Sequence, residues 1–284
     1  MALAETVVDS DWERTFYGPA TSDHERPAAW NSSYQQLSDL AARCLALMLL
    51  VLAAPLLAAL WLAVKLSSNG PGFYRQKRMG HNGRVFMMYK LRSMRVDAEA
   101  RTGPVWASAG TDSRVTPLGY WLRHLHLDEL PQLYNIVRGE MALVGPRPER
   151  PEFVGLLAEQ IPGYWERLRV KPGITGLAQI NLPPDTDLHS VRCKLVLDRE
   201  YIRSAEPLLD ARIALCTLLR LMGLRGGRAV TLLGLSRSVV LDGAPLASAA
   251  QPPVAGEIPD FARHAAGREL APPMSPAPLE AVRG

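Results

Sequence analysis

Two adjacent acidic residues and an arginine between two prolines are the side chains of this sequence best suited to phosphate chemistry. Asp128 and Glu129 lie in the segment LDELPQL, and Arg147 follows in VGPRP. A carboxylate can attack phosphorus and form an acyl phosphate, its neighbour can hold a divalent cation, and an arginine can neutralise phosphoryl oxygens. Acidic residues just before a proline at a helix start also cap helices, so the pair alone leaves both roles open.

Five motifs occur in a fixed order around these residues. They are KLRSM at 90–94, DSRVTPLG at 112–119, DELPQL at 128–133, GEMALVGPRP at 139–148 and KPGITGLAQIN at 171–181. Together they resemble the bacterial sugar transferase family, the monotopic polyprenyl-phosphate phosphoglycosyl transferases, over residues 40–223. Five ordered motifs are far more specific than any single one.

The resemblance implies a mechanism and a pathway. It implies that Asp128 attacks the sugar-bearing phosphate of a UDP-sugar, expels UMP and carries the phosphosugar until a polyprenyl (undecaprenyl) phosphate takes it. Glu129 matches the second acid of the family pair. Asp128 and Glu129 are then the candidate ligands of a Mg²⁺ shared with the substrate phosphates. Such a reaction is the first membrane step of exopolysaccharide, capsule or surface-glycan synthesis.

Arg147 is the first candidate for a phosphoryl clamp, because the flanking prolines restrict its backbone. The further candidates for phosphate or nucleotide contacts are Lys90, Arg92, Arg114 and Arg123, and a structural or lipid-facing role is an equal alternative for each. Leu91, Ala142 and Leu182 replace residues that are common in the family motifs, and they leave the sugar preference open.

Residues 44–64 form a run of 21 uncharged, predominantly apolar residues, which is the length of a membrane helix. Pro55 removes one backbone hydrogen bond in the middle of this run and predicts a kink. Basic residues on both sides, Arg43 before and Lys65 after, favour keeping both ends in the cytoplasm. The resemblance implies a re-entrant helix-break-helix with Pro55 at the membrane break. An ordinary kinked span is the alternative.

The predicted fold is mainly α with a small β-hairpin, in a monotopic membrane protein with a cytosolic catalytic domain. Asn82-Gly83 predicts the turn of the hairpin. Short helices are predicted at 117–125 and 131–137, the second closed by Gly139, and two more helices at 195–202 and 208–222. The last of these is apolar around most of its circumference, which suits either a membrane surface or a core.

The predicted domains are a disordered acidic tail at 1–36, the membrane anchor at 37–68, the catalytic domain at 69–224 and a mostly disordered Ala/Pro-rich tail at 225–284. Relatives in this family that carry further helices and a domain upstream are longer, so the chain resembles the minimal form. The predicted location is the inner (cytoplasmic) membrane of a bacterium, with the catalytic domain on the cytoplasmic face.

A net charge of +4 suits nucleotides and anionic membrane lipids as partners, and it is too small to indicate nucleic-acid binding. Three widely spaced cysteines give no metal or redox motif. A homo-oligomer is compatible with the sequence. Two other functions compete with the enzyme: a catalytically silent membrane scaffold of a glycan assembly complex, and a soluble phosphotransferase with a buried helix. Intact Asp128, Glu129 and Arg147 disfavour the scaffold, and the 21-residue run disfavours the soluble protein.

Overall fold

A long amino-terminal helix with a small helical domain packed along it makes up the described part of the chain. The structure is a computed structural model that describes residues 32–100, 112–224 and 227–239. The helices are α1 (Ser32–Ser67), α2 (Pro117–His124), α3 (Gln132–Val137), α4 (Pro151–Gln160), α5 (Leu177–Asn181), α6 (Leu188–Ser204), α7 (Pro207–Leu221) and α8 (Arg228–Leu232). The strands are β1 (Phe73–Met79), β2 (Val85–Leu91), β3 (Ala142–Val144) and β4 (Gly173–Thr175). The predicted mainly helical fold with a small hairpin is confirmed. Most of each predicted tail lies outside the described residues, namely 1–31 of the tail at 1–36 and 240–284 of the tail at 225–284.

Helix α1 is long and apolar enough to cross a membrane, by length and composition. At 1.5 Å per residue its length is about 54 Å. One side of it packs into the domain through residues three or four positions apart, namely Ala42, Ala46, Leu50, Ala53, Leu57, Leu60 and Val64. The opposite side exposes large apolar residues such as Leu52 and Leu62.

The expected break at Pro55 does not interrupt α1, which runs as one helix from Ser32 to Ser67. A proline removes one hydrogen bond from a helix. Ala46 and Leu57, on either side of Pro55, are buried in two different core clusters of the domain. These contacts hold the helix on both sides of the proline.

Strands β1 and β2 form the predicted antiparallel hairpin, with Phe73 opposite Leu91 and Met79 opposite Val85. Asn82 and Gly83 in its turn have φ angles of 53° and 74°. This left-handed region favours glycine and tolerates asparagine, which explains the Asn-Gly signal. The hairpin brings Lys90, near the end of β2, towards the segment that carries Asp128 and Glu129.

A second sheet, which the sequence patterns did not predict, pairs β3 and β4 in parallel. Ala142 lies opposite Gly173 and Val144 opposite Thr175. The two backbones are so close at Gly173 that an added Cβ would lie 2.2 Å from the Gly145 nitrogen. The glycine therefore fixes the direction in which the chain leaves β3 towards Arg147.

The carboxyl-terminal helices close the core behind these strands. Helix α6 begins earlier than predicted because Asp187 and Ser190 form a capping box. Helix α7 buries Ile213 and Cys216 and exposes Leu215 and Leu218, so it has both a core face and an exposed apolar face. Ala229, Val230 and Leu235, which lie beyond the predicted domain boundary at 224, are also buried in this core.

Candidate active site

Asp128 and Glu129 lie in a 3-10 turn, Leu127–Glu129, between α2 and α3. The amino-terminal cap of α3 is Pro131, with no side-chain capping bond, so neither acid serves as its cap. His126, at the start of the turn, has a φ of 55°. A non-glycine residue in this left-handed region carries backbone strain on the order of 1–2 kcal/mol. The surrounding packing therefore holds the two carboxylates in a conformation that the local sequence does not prefer.

Two cations from different parts of the chain meet on one oxygen of Glu129. The Lys90 ammonium donates to Oε1 at 2.8 Å, and the Arg147 guanidinium donates to the same atom at 2.5 Å. Burial by itself raises the pKa of Glu129, but the charges of Arg147 and Lys90 outweigh burial and hold the pKa well below its ordinary value. Glu129 is therefore ionised, and one of its two oxygens binds both cations.

Asp128 differs from its neighbour. It is only 6% exposed, yet its carboxylate accepts no hydrogen bond and forms no ion pair within the described residues. Burial raises its pKa, the nearby Lys90 lowers it, and the negative charge of Glu129 raises it again. A carboxylate that is poorly solvated and not engaged by a cation keeps its oxygen lone pairs available for an incoming group.

Arg147 reaches Glu129 from a segment that several contacts hold in place. We call residues 145–150 the Arg147 loop. Met79 N donates to the Glu149 carbonyl at 2.8 Å, and the Arg78 guanidinium donates to the Pro148 carbonyl at 3.0 Å. The Arg147 side chain itself is 46% exposed, so one edge of its guanidinium remains accessible beside Glu129.

Lys90 is positioned by an asparagine, Asn135, that was not among the predicted site residues. Asn135 is fully buried on α3; its amide donates to the Met87 carbonyl at 2.7 Å, and its oxygen accepts from Tyr89 N at 3.2 Å. These bonds attach β2 to the helix that follows the acidic turn. Burial lowers the pKa of Lys90, and Glu129 opposes that change. An asparagine flanked by apolar residues in a short helix was the available signal.

The other predicted phosphate-binding residues lie in different settings. Arg123 donates to the Ser93 hydroxyl at 2.9 Å, and its charge lowers the pKa of Asp128, which places it next to the acidic turn. Arg92 is buried, and its guanidinium donates to the Ser68 and Asn69 carbonyls after the end of α1. Arg114 forms a bidentate ion pair with Asp112. The structure thus brings Lys90, Arg123 and Arg147 to the acidic pair, whereas the donors of Arg92 and Arg114 are directed elsewhere.

The two carboxylates fit a magnesium site of the type that substrates help to complete. Within the described residues there is no group of three or more His, Cys, Asp and Glu side chains that could hold a metal. Magnesium is commonly held by one or two carboxylates together with substrate phosphates and waters. The unpaired carboxylate of Asp128 and the second oxygen of Glu129 are donors of the required hard type.

A carboxylate pair flanked by cations suits the transfer of phosphate-bearing groups, and the apolar helix α1 packs against the same domain. The bacterial sugar transferase profile matches residues 30–223, and the chain belongs to this family.

Among curated relatives, the chain is 43% identical over 221 residues to an undecaprenyl-phosphate glucose phosphotransferase of Komagataeibacter xylinus, covering 74% of this chain and 40% of the relative. It is 41% identical over 171 residues to a UDP-glucose:undecaprenyl-phosphate glucose-1-phosphate transferase of Xanthomonas campestris pv. campestris, covering 60% of this chain and 35% of the relative. An exopolysaccharide production protein of Rhizobium leguminosarum bv. phaseoli is 38% identical over 169 residues, which are 58% of this chain and 84% of the relative. The chain thus spans less than half of the first two relatives and most of the third.

Proposed function

We propose that this protein transfers a phosphosugar from a UDP-sugar to a membrane polyprenyl phosphate and releases UMP, as the first membrane step of exopolysaccharide or related surface-glycan synthesis. The observation that carries the proposal is the difference between the two acids: Glu129 is bound by two cations, and Asp128 is bound by none among the described residues. The names of the relatives support the substrate classes, since both include undecaprenyl phosphate and that of the Xanthomonas campestris relative includes UDP-glucose.

The reaction proceeds in two displacements at the same phosphorus. An Asp128 carboxylate oxygen attacks the phosphorus that bears the sugar, and the bond from this phosphorus to the oxygen of the UMP phosphate breaks. UMP leaves with the bonding electron pair. A phosphate oxygen of the polyprenyl phosphate then attacks the phosphorus of the aspartyl phosphosugar, a pyrophosphate bond forms, and the carboxylate is regenerated. Because of the covalent intermediate, the two bulky anionic substrates bind one after the other and need not be bound together.

The cations around Asp128 counter the repulsion between it and the incoming diphosphate. The half-exposed guanidinium of Arg147 and the guanidinium of Arg123 supply positive charge at the acidic turn, and Glu129 holds Arg147 and Lys90 in place. Fixed charges of this kind stabilise a transition state without reorganisation during the reaction. Asp128 and Glu129 are the residues that would hold Mg²⁺. Magnesium, when bound, would neutralise phosphoryl oxygens and favour departure of UMP.

The anchor would enter one leaflet from the cytoplasmic face. Helix α1 packs against the domain between Ala42 and Val64, over most of the run that could cross a bilayer. A transverse crossing in this conformation would take polar parts of the domain into hydrocarbon, which is costly. The exposed side of α1 would then meet lipid, with basic residues near anionic headgroups. Cysteine labelling at positions 38 and 68 should mark both from the cytoplasmic side, whereas labelling from opposite sides would establish a span and exclude a re-entrant anchor at Pro55.

Purified protein in detergent or nanodiscs, given UDP-glucose and undecaprenyl phosphate, tests the reaction through UMP release and lipid-linked product. The same assay with other UDP-sugars would identify the sugar. Asp128→Asn should abolish both signals while the protein stays folded. Asp187→Asn is the matched control, because asparagine can also cap α6. Undiminished turnover by Asp128→Asn would remove the nucleophile assignment, and absence of product with every UDP-sugar would favour a catalytically silent scaffold.

A further inference from the structure

The backbone carbonyl of Arg147 accepts a hydrogen bond from a second arginine. Arg167, in the 3-10 helix Tyr164–Arg169, donates from its Nη2 to this carbonyl at 3.0 Å. The bond joins two segments that are 20 residues apart in the chain. Arg147 therefore has its guanidinium on Glu129 and its own carbonyl on Arg167.

Arg167 is held in place by an almost fully buried carboxylate. Its Nη2 lies 3.0 Å from Oδ2 of Asp198 in the middle of α6, and the two side chains are 10% and 4% exposed. Its Nη1 donates to the Tyr164 hydroxyl, and its guanidinium carbon lies 5.1 Å from the centre of the Tyr164 ring. Asp198 and Tyr164 thus fix the guanidinium, and Asp198 balances its charge. Burying a charged pair is costly, so a position so far from solvent calls for a reason other than stability.

That reason lies in the geometry of the Arg147 loop. Pro146 and Pro148 restrict the backbone around Arg147, but proline has no N–H with which to fasten the loop. The loop is therefore held largely through its carbonyl groups, and the carbonyl of Arg147 itself accepts from Arg167. A shift of this carbonyl moves the Cα of Arg147 and, with it, the guanidinium at Glu129. Displacement of a substrate-binding group by about 1 Å can reduce catalysis by about 100-fold.

We propose that Arg167, held by Asp198, is a positioning residue that sets the place of the Arg147 guanidinium through the Arg147 backbone carbonyl. The proposal rests on the proposed function, since it assigns Arg147 a role in phosphosugar transfer. Arg167 itself contacts neither Asp128 nor Glu129 in any hydrogen bond or ion pair of the described residues.

The structure offers a matched control for Arg167. Arg199 on α6 pairs with Glu166 at 2.9 Å, and so it also joins α6 to the 3-10 helix. Its side chain is 28% exposed, and it donates to the Pro162 carbonyl instead of the Arg147 loop. Arg199→Lys should therefore perturb the same two elements without moving Arg147.

The test is a double-mutant cycle on UMP release, with Arg167→Lys and Arg147→Ala made singly and together. Arg167→Lys should lower kcat/KM by about 10–100-fold, since lysine can retain the pair with Asp198 but its shorter side chain has one nitrogen in place of the two that bind Asp198, the Tyr164 hydroxyl and the Arg147 carbonyl together. In the Arg147→Ala background, Arg167→Lys should lower kcat/KM by less than about 3-fold, because the guanidinium that Arg167 positions is gone. Arg199→Lys should stay within about 2-fold of its parent in both backgrounds.

Three results would each overturn the proposal. The first is a double variant in which the two single losses of kcat/KM multiply. The others are an Arg167→Lys enzyme as active as Arg199→Lys and an Arg147→Ala enzyme with full activity. If Arg167→Lys does not fold, as judged by its melting temperature, Tyr164→Phe provides the same cycle, because it removes a partner of Arg167 and retains the buried charge pair. A wild-type protein without any UMP release would instead refute the proposed function, and the two failures are thereby distinguishable.

Discussion

Replacing Glu129 by glutamine removes one negative charge between two cations and hardly changes the shape of the side chain. The lost interactions are the bonds from Lys90 at 2.8 Å and from Arg147 at 2.5 Å. Each charge-assisted hydrogen bond contributes roughly 1.5–3 kcal/mol, so the complete loss of both would cost about 3–6 kcal/mol. Glutamine still offers a neutral acceptor, and the Arg147 side chain is 46% exposed. We therefore expect about half of that cost, roughly 2–3 kcal/mol.

Thermal unfolding measured at one scan rate gives the comparison. A change of 1 kcal/mol shifts Tm by about 2–4 °C in a domain of this size, so Glu129→Gln should lower Tm by about 4–12 °C. UMP release should fall by at least about tenfold, because Lys90 and Arg147 lose their shared anchor. Glu200→Gln is the control: its pair with Arg237 has side chains 37% and 34% exposed and should contribute less than about 1 kcal/mol. If Glu129→Gln has the same Tm as Glu200→Gln and the same rate of UMP release as wild type, then Glu129 does not anchor Lys90 and Arg147.

Two further predictions concern residues outside the acidic turn. Asn135→Leu should destabilise the domain by about 3–5 kcal/mol, because it leaves the Met87 carbonyl and the Tyr89 N–H buried without partners, and chemical denaturation measures this. Asp210, which accepts from the Tyr201 hydroxyl at 2.8 Å, has its pKa raised by burial from 3.8 to about 6. The native protein therefore binds the Asp210 proton more tightly than the unfolded chain, and this contribution to stability is lost as the pH rises through about 6. Asp210→Asn should thus stabilise the protein by up to about 3 kcal/mol at pH 8 and not at all below pH 4.

Each of these predictions has a contradicting result. An Asn135→Leu protein as stable as wild type would mean that the contacts of Asn135 do not attach β2 to α3. For Asp210, a stability gain from asparagine that is equal at pH 4 and pH 8 would show that the effect does not come from its charge.

Local signals in the sequence predicted the elements on which the site is built. Asn82-Gly83 predicted the hairpin turn, and Pro117 marked the start of α2, because both effects depend on residues within one turn of the chain. The same holds for the adjacency of Asp128 and Glu129. Strands β3 and β4 were missed because each has three residues, too few for a period-2 pattern to emerge.

The contacts between these elements depend on the tertiary fold, which local patterns do not contain. Lys90 and Arg92 stand two residues apart and were equal candidates, yet Lys90 reaches Glu129 and Arg92 reaches the carbonyls after α1. Which of the two cations pairs with Glu129 depends on where the carboxyl-terminal end of α1 lies in the fold. Arg167 was missed for the same reason, since nothing in its own segment indicates the carbonyl of Arg147 or the carboxylate of Asp198.

The most direct test of the central claim is to look for the phosphosugar on the protein itself. Wild-type enzyme is incubated with a UDP-sugar and without polyprenyl phosphate, quenched in acid, digested and analysed by mass spectrometry. We expect a sugar phosphate adduct on the Asp128 side chain, at no more than one per chain. It should disappear, with formation of lipid-linked product, when polyprenyl phosphate is added before the quench. If lipid-linked product forms although the enzyme never carries this adduct, or carries it on another residue, then Asp128 is not the nucleophile.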